Sequence, residues 1–369
     1  MPEHAHTGID IRKLLDVVRT MVGEVHPHWK NLHFTPDTHL ERDLGLDSMA
    51  RMELRTRIET QFGVSLQESV AIAATTPNDL LRALQRASGE TGAEDIAPGN
   101  PALQNNASDL LMGPFATAEQ TGEIWRSKQP TAGDWLFALY AWPLFIVLGT
   151  ITWILVVFGP FETWRQKFAH LGARALFLLT FTPFRVTGKE HLAHNRAQII
   201  VANHSSYLDG FIITAALDIP IHFIVKGELA RNLPARLLLQ RFGVEFVDRF
   251  NAGKGISDVG RIARKSRDGQ SIVFFPEGTF TSFPGLQPFR MGAFVTAARS
   301  RVAIVPVAIQ GARDILRGSH WFPYRGRISV TISPPIAPVG EGWQVALNLR
   351  DAARSEIRSH CGEIDLTED

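Results

Sequence analysis

The sequence predicts a multidomain chain: a small all-α helix bundle, then a hydrophobic helical hairpin, then an α/β domain around a mixed sheet. Three observations predict it. Apolar residues recur at helical spacing in the first 88 residues, separated by loops with clear helix start and stop signals. Residues 135–161 carry no charge. Beyond them, apolar runs near 184–188, 198–202, 221–226, 244–248, 271–275, 303–309 and 327–333 alternate with many helical stretches. The expected divisions are the bundle over 1–88, a flexible linker over 89–133, the hairpin over 134–183 and the α/β domain over 184–369.

In the first helix Ile11, Leu14, Leu15, Val18, Met21, Val22 and Val25 share one face. A long polar loop leads to Ser48, which opens a second helix through Phe62, ended by Gly63-Val64-Ser65-Leu66. Thr76-Pro77 caps and starts a third helix running to about Ala87. The following stretch to Gly133 is rich in Gly, Ala, Pro, Asn, Thr and Gln. As a flexible coil it spans roughly 35–40 Å.

Residues 135–161 include Trp135, Tyr140, Trp142 and Trp153, and are long enough as a helix to cross a bilayer. Gly159-Pro160 breaks the run, and a less apolar helix follows from Phe161 to about Thr182 with Arg165, Lys167, His170 and Arg174. A buried soluble helix pair is the alternative, because Pro143 and Gly149 interrupt the first helix. The stretch Trp343 to His360 reads as a closing helix.

The net charge is only +1, but it is unevenly spread. Residues 1–90 hold 10 Lys and Arg against 13 Asp and Glu, whereas residues 134–369 hold 26 against 19. The basic half suits an anionic acceptor or an anionic membrane surface. It lacks a nucleic-acid recognition motif, so no nucleic-acid partner is expected. Cys361 is the single cysteine, which excludes a disulfide framework and points to a reducing compartment. Met1 to Asp10 contains no apolar segment, so no secretory signal is expected there. No Cys/His cluster suggests a metal.

Two polar corners follow apolar strands. Ile199 to Ala202 leads into Asn203-His204-Ser205-Ser206-Tyr207-Leu208-Asp209, and Ser271 to Phe275 leads into Pro276-Glu277-Gly278-Thr279. Corners at the ends of two strands can converge on one cleft, and an aspartate one turn after a histidine can fix its tautomer. With Gly243 to Arg249, Pro288 to Phe294 and Ile304 to Val307 in the same order, the stretch from about 184 to 335 resembles the lysophosphatidic acid (glycerolipid) acyltransferase family. The resemblance implies His204 as general base and Asp209 as the residue that holds its imidazole. It implies Arg249 as the clamp on an acceptor phosphate, with a surface salt bridge to Asp248 as its bland alternative. Glu277, Gly278 and Thr279 would complete the acceptor site. Lys226 is a weaker phosphate candidate, and so is Arg290, where the family commonly has lysine.

Asp43-Leu44-Gly45-Leu46-Asp47-Ser48-Met49 resembles the attachment loop of an acyl carrier protein. The resemblance implies that Ser48 receives 4'-phosphopantetheine; the alternative is that Asp-Ser is simply a helix N-cap. The chain departs from that family in Arg51, Arg55 and Arg57, where typical carriers present acidic residues. A dedicated acyl-loading enzyme, or use only by its own chain, is therefore expected beside a phosphopantetheinyl transferase.

Together the resemblances imply an acyltransferase moving a fatty acyl group from a thioester on its own carrier to the hydroxyl of a lysophospholipid-type acceptor. Carrier and catalytic domain must share one side of the membrane. The hairpin is therefore expected to dip into the bilayer or cross it twice, at the cytoplasmic face (the inner membrane in a bacterium). The alternatives are an acceptor without phosphate, an amine acceptor, or a membrane-anchored carrier scaffold without activity.

Overall fold

The computed structural model describes residues 9–27, 29, 33–67, 74–88, 130–227, 231–247, 252–279, 285–317 and 321–366. Two compact units emerge, one over residues 1–117 with 251–256 and 368–369, and one over 118–250 and 257–367. The expected linker, 89–133, lies almost wholly outside the described residues.

The first unit contains α1 (Ile11–Val25), α2 (Ser48–Phe62) and α3 (Pro77–Ala87). The helices start where side chains can satisfy the orphan N–H groups of a first turn. Asp10 accepts from the Arg12 amide, Asp47 from the Met49 and Ala50 amides, and Thr76 with Asp79 forms a capping box behind Pro77. Gly63 ends α2 in the left-handed conformation at φ 66°. Leu14, Val18, Met21 and Val22 of α1, Leu54 and Ile58 of α2 and Leu80 and Leu84 of α3 are all buried. Leu40, Leu44 and Leu46 from the long loop are buried as well, so that loop is part of the core rather than a loose connection.

The basic residues of α2 are paired within the bundle. Arg57 grips Glu24 with both terminal nitrogens at 2.8 Å and reaches Glu53 at 3.1 Å. Arg55 pairs with Glu59 at 3.0 Å. Arg51 donates to the Ala74 carbonyl at 2.7 Å and lies 3.6 Å from Glu41.

The second unit opens with α4 (Ala132–Phe158) and α5 (Glu162–Leu179), separated at Gly159–Phe161. Gly172 lets the pair cross closely, since a Cβ there would sit 2.2 Å from Thr152 Oγ1. An 18-residue window of α4 has mean hydropathy 2.2, and α4 is the one helix among the described residues long and apolar enough to cross a membrane. Leu136, Leu139, Phe158, Leu171 and Leu178 are exposed on the pair. Its other side is tied to the domain by polar groups. Gln166 donates to the Ile221 and Phe242 carbonyls, and the His170 ring meets the Thr214 and Leu217 carbonyls at the end of a later helix.

The sheet has seven strands: β1 (Phe184–Thr187), β2 (Ile199–Ala202), β3 (Ile221–Lys226), β4 (Glu245–Val247), β5 (Ser271–Phe274), β6 (Ile304–Gln310) and β7 (Ile328–Ile332), in the order β1-β7-β6-β2-β5-β3-β4. Neighbours are parallel except β6 and β7, so β1 and β7 run against the other five and the sheet is mixed. The intervening helices are α6 (Asp209–Ala216), α7 (Leu233–Phe242), α8 (Ala252–Arg267), α9 (Gly292–Ser300), α10 (Ala312–Ile315) and α11 (Trp343–Cys361). The main core joins the fully buried β2 and β6, buried up to Ile309, to α6, with Val156 of α4 and Phe177 of α5 in the same cluster. The chain moves from β2 to β3 in one direction and crosses back over β2 between β5 and β6. A crevice at the carboxyl ends of β2 and β5 follows from that reversal.

Candidate active site

His204 follows β2 by two residues, and Glu277 follows β5 by three. Val201 pairs with Phe274 in parallel register, so both corners open at the same edge of the sheet. The β2 corner is fixed by Asn203, whose amide side chain donates to the Ile309 carbonyl at 2.9 Å and accepts from the Ile309 amide at 2.7 Å. Ser206 Oγ donates to the Leu316 carbonyl at 2.6 Å and accepts from the Leu208 amide. Sequence reading gave neither residue a role. Asn203 follows an apolar strand directly, and that position was its only signal.

Asp209 is the first residue of α6 and is fully buried. Its Oδ2 accepts from the Ser205 and Ser206 amides at 2.6 and 2.8 Å and from His204 Nδ1 at 2.8 Å. Those two amides hold the Asp209 side chain in place at the start of the helix. A carboxylate at Nδ1 places the imidazole proton there and the lone pair on Nε2. The ring stacks on Phe275 with centroids 4.4 Å apart.

Glu277 joins the two corners from beneath. Oε1 accepts from the His204 amide at 2.6 Å and Oε2 from the Gln287 amide at 2.9 Å. Burial pushes its carboxyl up to about 8, and Asp209 nearby adds to the rise, while the two amide donors and Arg354 oppose it. Arg354 of α11 donates to the Gln287 and Leu286 carbonyls and to Asp365, which steadies the segment that supplies the Gln287 amide. Gln287 and Arg354 had no sequence signal, because their importance lies in backbone groups and in a helix that closes the chain.

Gly278 takes φ 79° and donates its amide to the Phe275 carbonyl, turning the chain so that Gly278 and Thr279 face the same cavity as His204. Arg290 has an exposed side chain and donates its amide to the Pro276 carbonyl. Lys226 ends β3 opposite Val247. Arg249 lies outside the described residues. Thus the structure brings His204, Asp209, Glu277, Gly278 and Thr279 together.

A cavity of about 850 Å³ runs from His204 between α4, α5 and the sheet, with walls that include Val156, Leu176, Phe223, Leu239 and Phe242. It is overwhelmingly apolar, the character of a site for a long hydrocarbon group. At its rim Tyr207 stacks on Trp321 with centroids 4.9 Å apart.

In the first unit Ser48 is half-buried at the head of α2. The capping bonds are made by Asp47, so the Ser48 hydroxyl is not consumed by the cap. A half-buried serine outside the cap is compatible with covalent attachment of a phosphopantetheine arm.

A helical bundle headed by such a serine and an α/β fold with a His–Asp pair at the carboxyl edge make up a two-part chain. Residues 14–84 match the family model for the phosphopantetheine attachment site, and residues 183–310 match that for Acyltransferase. The chain joins a phosphopantetheine attachment domain to an acyltransferase-family domain. It is 28% identical over 200 residues to the chloroplastic 1-acyl-sn-glycerol-3-phosphate acyltransferase of Arabidopsis thaliana, covering 52% of this chain and 56% of that protein. It is 30% identical over 181 residues to 1-acyl-sn-glycerol-3-phosphate acyltransferase alpha of Mus musculus, covering 48% of this chain and 64% of that protein. The chain thus spans between half and two thirds of the length of these relatives. The crystal structure of the 1-acyl-sn-glycerophosphate acyltransferase PlsC from Thermotoga maritima shares the fold, with a TM-score of 0.53 at 20% identity over 62% of this chain and 94% of that one.

Proposed function

We propose that the chain is a membrane-associated O-acyltransferase that moves a fatty acyl group from a thioester donor to the hydroxyl of a lysophospholipid-type acceptor. The observation that carries this reading is the His204–Asp209 pair, 2.8 Å apart, at the mouth of a long apolar cavity. Nε2 of His204 takes the proton of the acceptor hydroxyl as its oxygen attacks the thioester carbonyl, and Asp209 stabilises the imidazolium that forms. The proton then passes to the departing thiolate. The apolar cavity holds the donor's hydrocarbon chain. Glu277 holds the His204 backbone in place from below, and Gly278 and Thr279 line the acceptor side. Arg249, Lys226 and Arg290 are the candidate phosphate ligands.

Ser48 is the attachment point on the carrier; when attached, phosphopantetheine supplies the thiol that bears the acyl group. A phosphopantetheinyl transferase and an acyl-loading enzyme are the implied partners. The exposed apolar face of α4 and α5 is the membrane contact, which puts the acceptor lipid within reach of the cavity. The site belongs at the cytoplasmic face. Product formation from an acyl thioester and a vesicle-embedded lysophosphatidic acid, followed by mass spectrometry, tests this. Wild-type turnover that vanishes in His204→Ala supports the reading, and equal turnover in both proteins overturns it.

A further inference from the structure

A second cavity, of about 490 Å³, opens at the opposite, amino-terminal edge of the sheet. His222 at the start of β3, Glu245 at the start of β4 and Gln270 just before β5 mark its floor, and Arg165 of α5 and Arg241 of α7 flank it. None of these groups serves the transfer chemistry at the other edge.

The cavity's charges do not cancel. Glu245 is held by both Arg261 and Lys265, and Arg261 also reaches Asp258 at 2.8 Å. Glu162, half-exposed, lies 3.6 Å from His222 Nε2, while His222 Nδ1 faces the Gly243 carbonyl at 3.0 Å. Arg165 and Arg241 are left without an ion pair among the described residues. Arg165 Nε and Gln270 Oε1 are both buried without a hydrogen-bond partner. A buried guanidinium nitrogen in that state is costly unless something else binds it. The position of Arg165 is also built: a Cβ on Gly159 would come within 2.9 Å of Arg165 Cγ, so its stem lies across the hairpin turn in space only glycine leaves.

Two unpaired guanidinium groups in one cavity match the oxygens of a phosphate group. Phe161 and Trp164, both exposed, adjoin Arg165 on the hairpin and supply the apolar surroundings of a lipid headgroup. We propose that this cavity is a non-catalytic site for a phosphate-class anion, with Arg165 and Arg241 as its ligands, and that the phosphate of an anionic phospholipid is the source the surroundings favour. The site does not rest on the acyl-transfer reading; only its lipid arm shares with that reading the membrane contact of the hairpin.

The test uses the full chain as wild type, Arg241→Gln, Arg165→Gln with Arg241→Gln, and Lys167→Gln, which removes an exposed cation from the same helix. Flotation compares phosphatidylglycerol with phosphatidylcholine vesicles, and thermal unfolding is followed with added inorganic phosphate. We expect the preference for phosphatidylglycerol to fall roughly fivefold for each guanidinium removed, with binding to phosphatidylcholine unchanged and Lys167→Gln shifted less. Stabilisation of wild type by phosphate, absent in Arg241→Gln and without any lipid preference, supports the same site with a soluble source. Variants at Arg165 and Arg241 that behave as Lys167→Gln does in both assays overturn the proposal. The exposed Arg241→Gln change keeps the test valid if loss of Arg165 disturbs folding.

Discussion

The bundle and the α/β unit treat their key residue in contrasting ways. Ser48 heads a helix whose start is secured by its neighbour Asp47, and its hydroxyl is not part of the cap. His204 is held through its ring by Asp209, through its amide by Glu277, and through the corner on which it sits by Asn203. An attachment point has to be accessible and replaceable without cost to the fold. Under the proposed function His204 is a general base that has to stay in one tautomer and one orientation, so the loss of the groups around it should be felt in both stability and rate.

Five substitutions break or sharpen that contrast. The largest effect is expected for His204→Ala, which should lower acyl transfer by about 10²–10⁴-fold while leaving the phosphopantetheine mass gain unchanged. Next, Ser48→Ala should abolish the phosphopantetheine mass gain in cells with an active phosphopantetheinyl transferase. It should also leave only transfer from a carrier thioester supplied in trans, slower by about 10²–10⁴-fold, the size of a lost tether advantage. Thermal unfolding of the bundle should stay within about 0.5 kcal/mol of wild type, because the cap belongs to Asp47. Asp47→Ala, by contrast, should cost the bundle about 1 kcal/mol. A Ser48→Ala bundle as destabilised as Asp47→Ala would remove the contrast.

A smaller effect is expected for Asn203→Ala, which strands a buried amide and a buried carbonyl of Ile309 and should cost about 2–3 kcal/mol in chemical denaturation. The smallest is a matter of slope. The Glu277 carboxyl is raised by burial from 4.5 to about 8, so the folded state holds a proton there that the unfolded chain releases. Stability should therefore decline as pH rises between about 4.5 and 8, and Glu277→Gln should flatten that part of the profile. A wild-type profile that rises through this window would mean the carboxylate is ionised in the folded protein.

The contrast also explains what could be read from the chain. Helix starts at Ser48 and Pro77 and the stop at Gly63 were visible because capping is local, involving residues two to four apart. The seven strands were visible as apolar runs, and His204, Asp209 and Glu277 as polar corners after two of them. The supports were hidden, since Asn203 acts on Ile309, Glu277 on the Gln287 amide, and Arg354 on the Leu286 and Gln287 carbonyls. Backbone groups have no sequence signature, so long-range contacts to them cannot be anticipated. The arginines of α2 were visible as residues but not as pairs: Arg57 finds Glu24 in another helix, 33 positions away.

That pairing has a consequence for how the carrier travels. An arginine and a glutamate joined at 2.8 Å project little field beyond the roughly 8 Å over which charges act at physiological salt. A carrier drawn to its enzyme by opposite charge slows as salinity rises, because screening removes the attraction. The helix behind Ser48 offers salt little to screen. Under the proposed function, delivery to the cavity depends on the covalent leash between the units, and its rate should hold steady in a cell under osmotic stress.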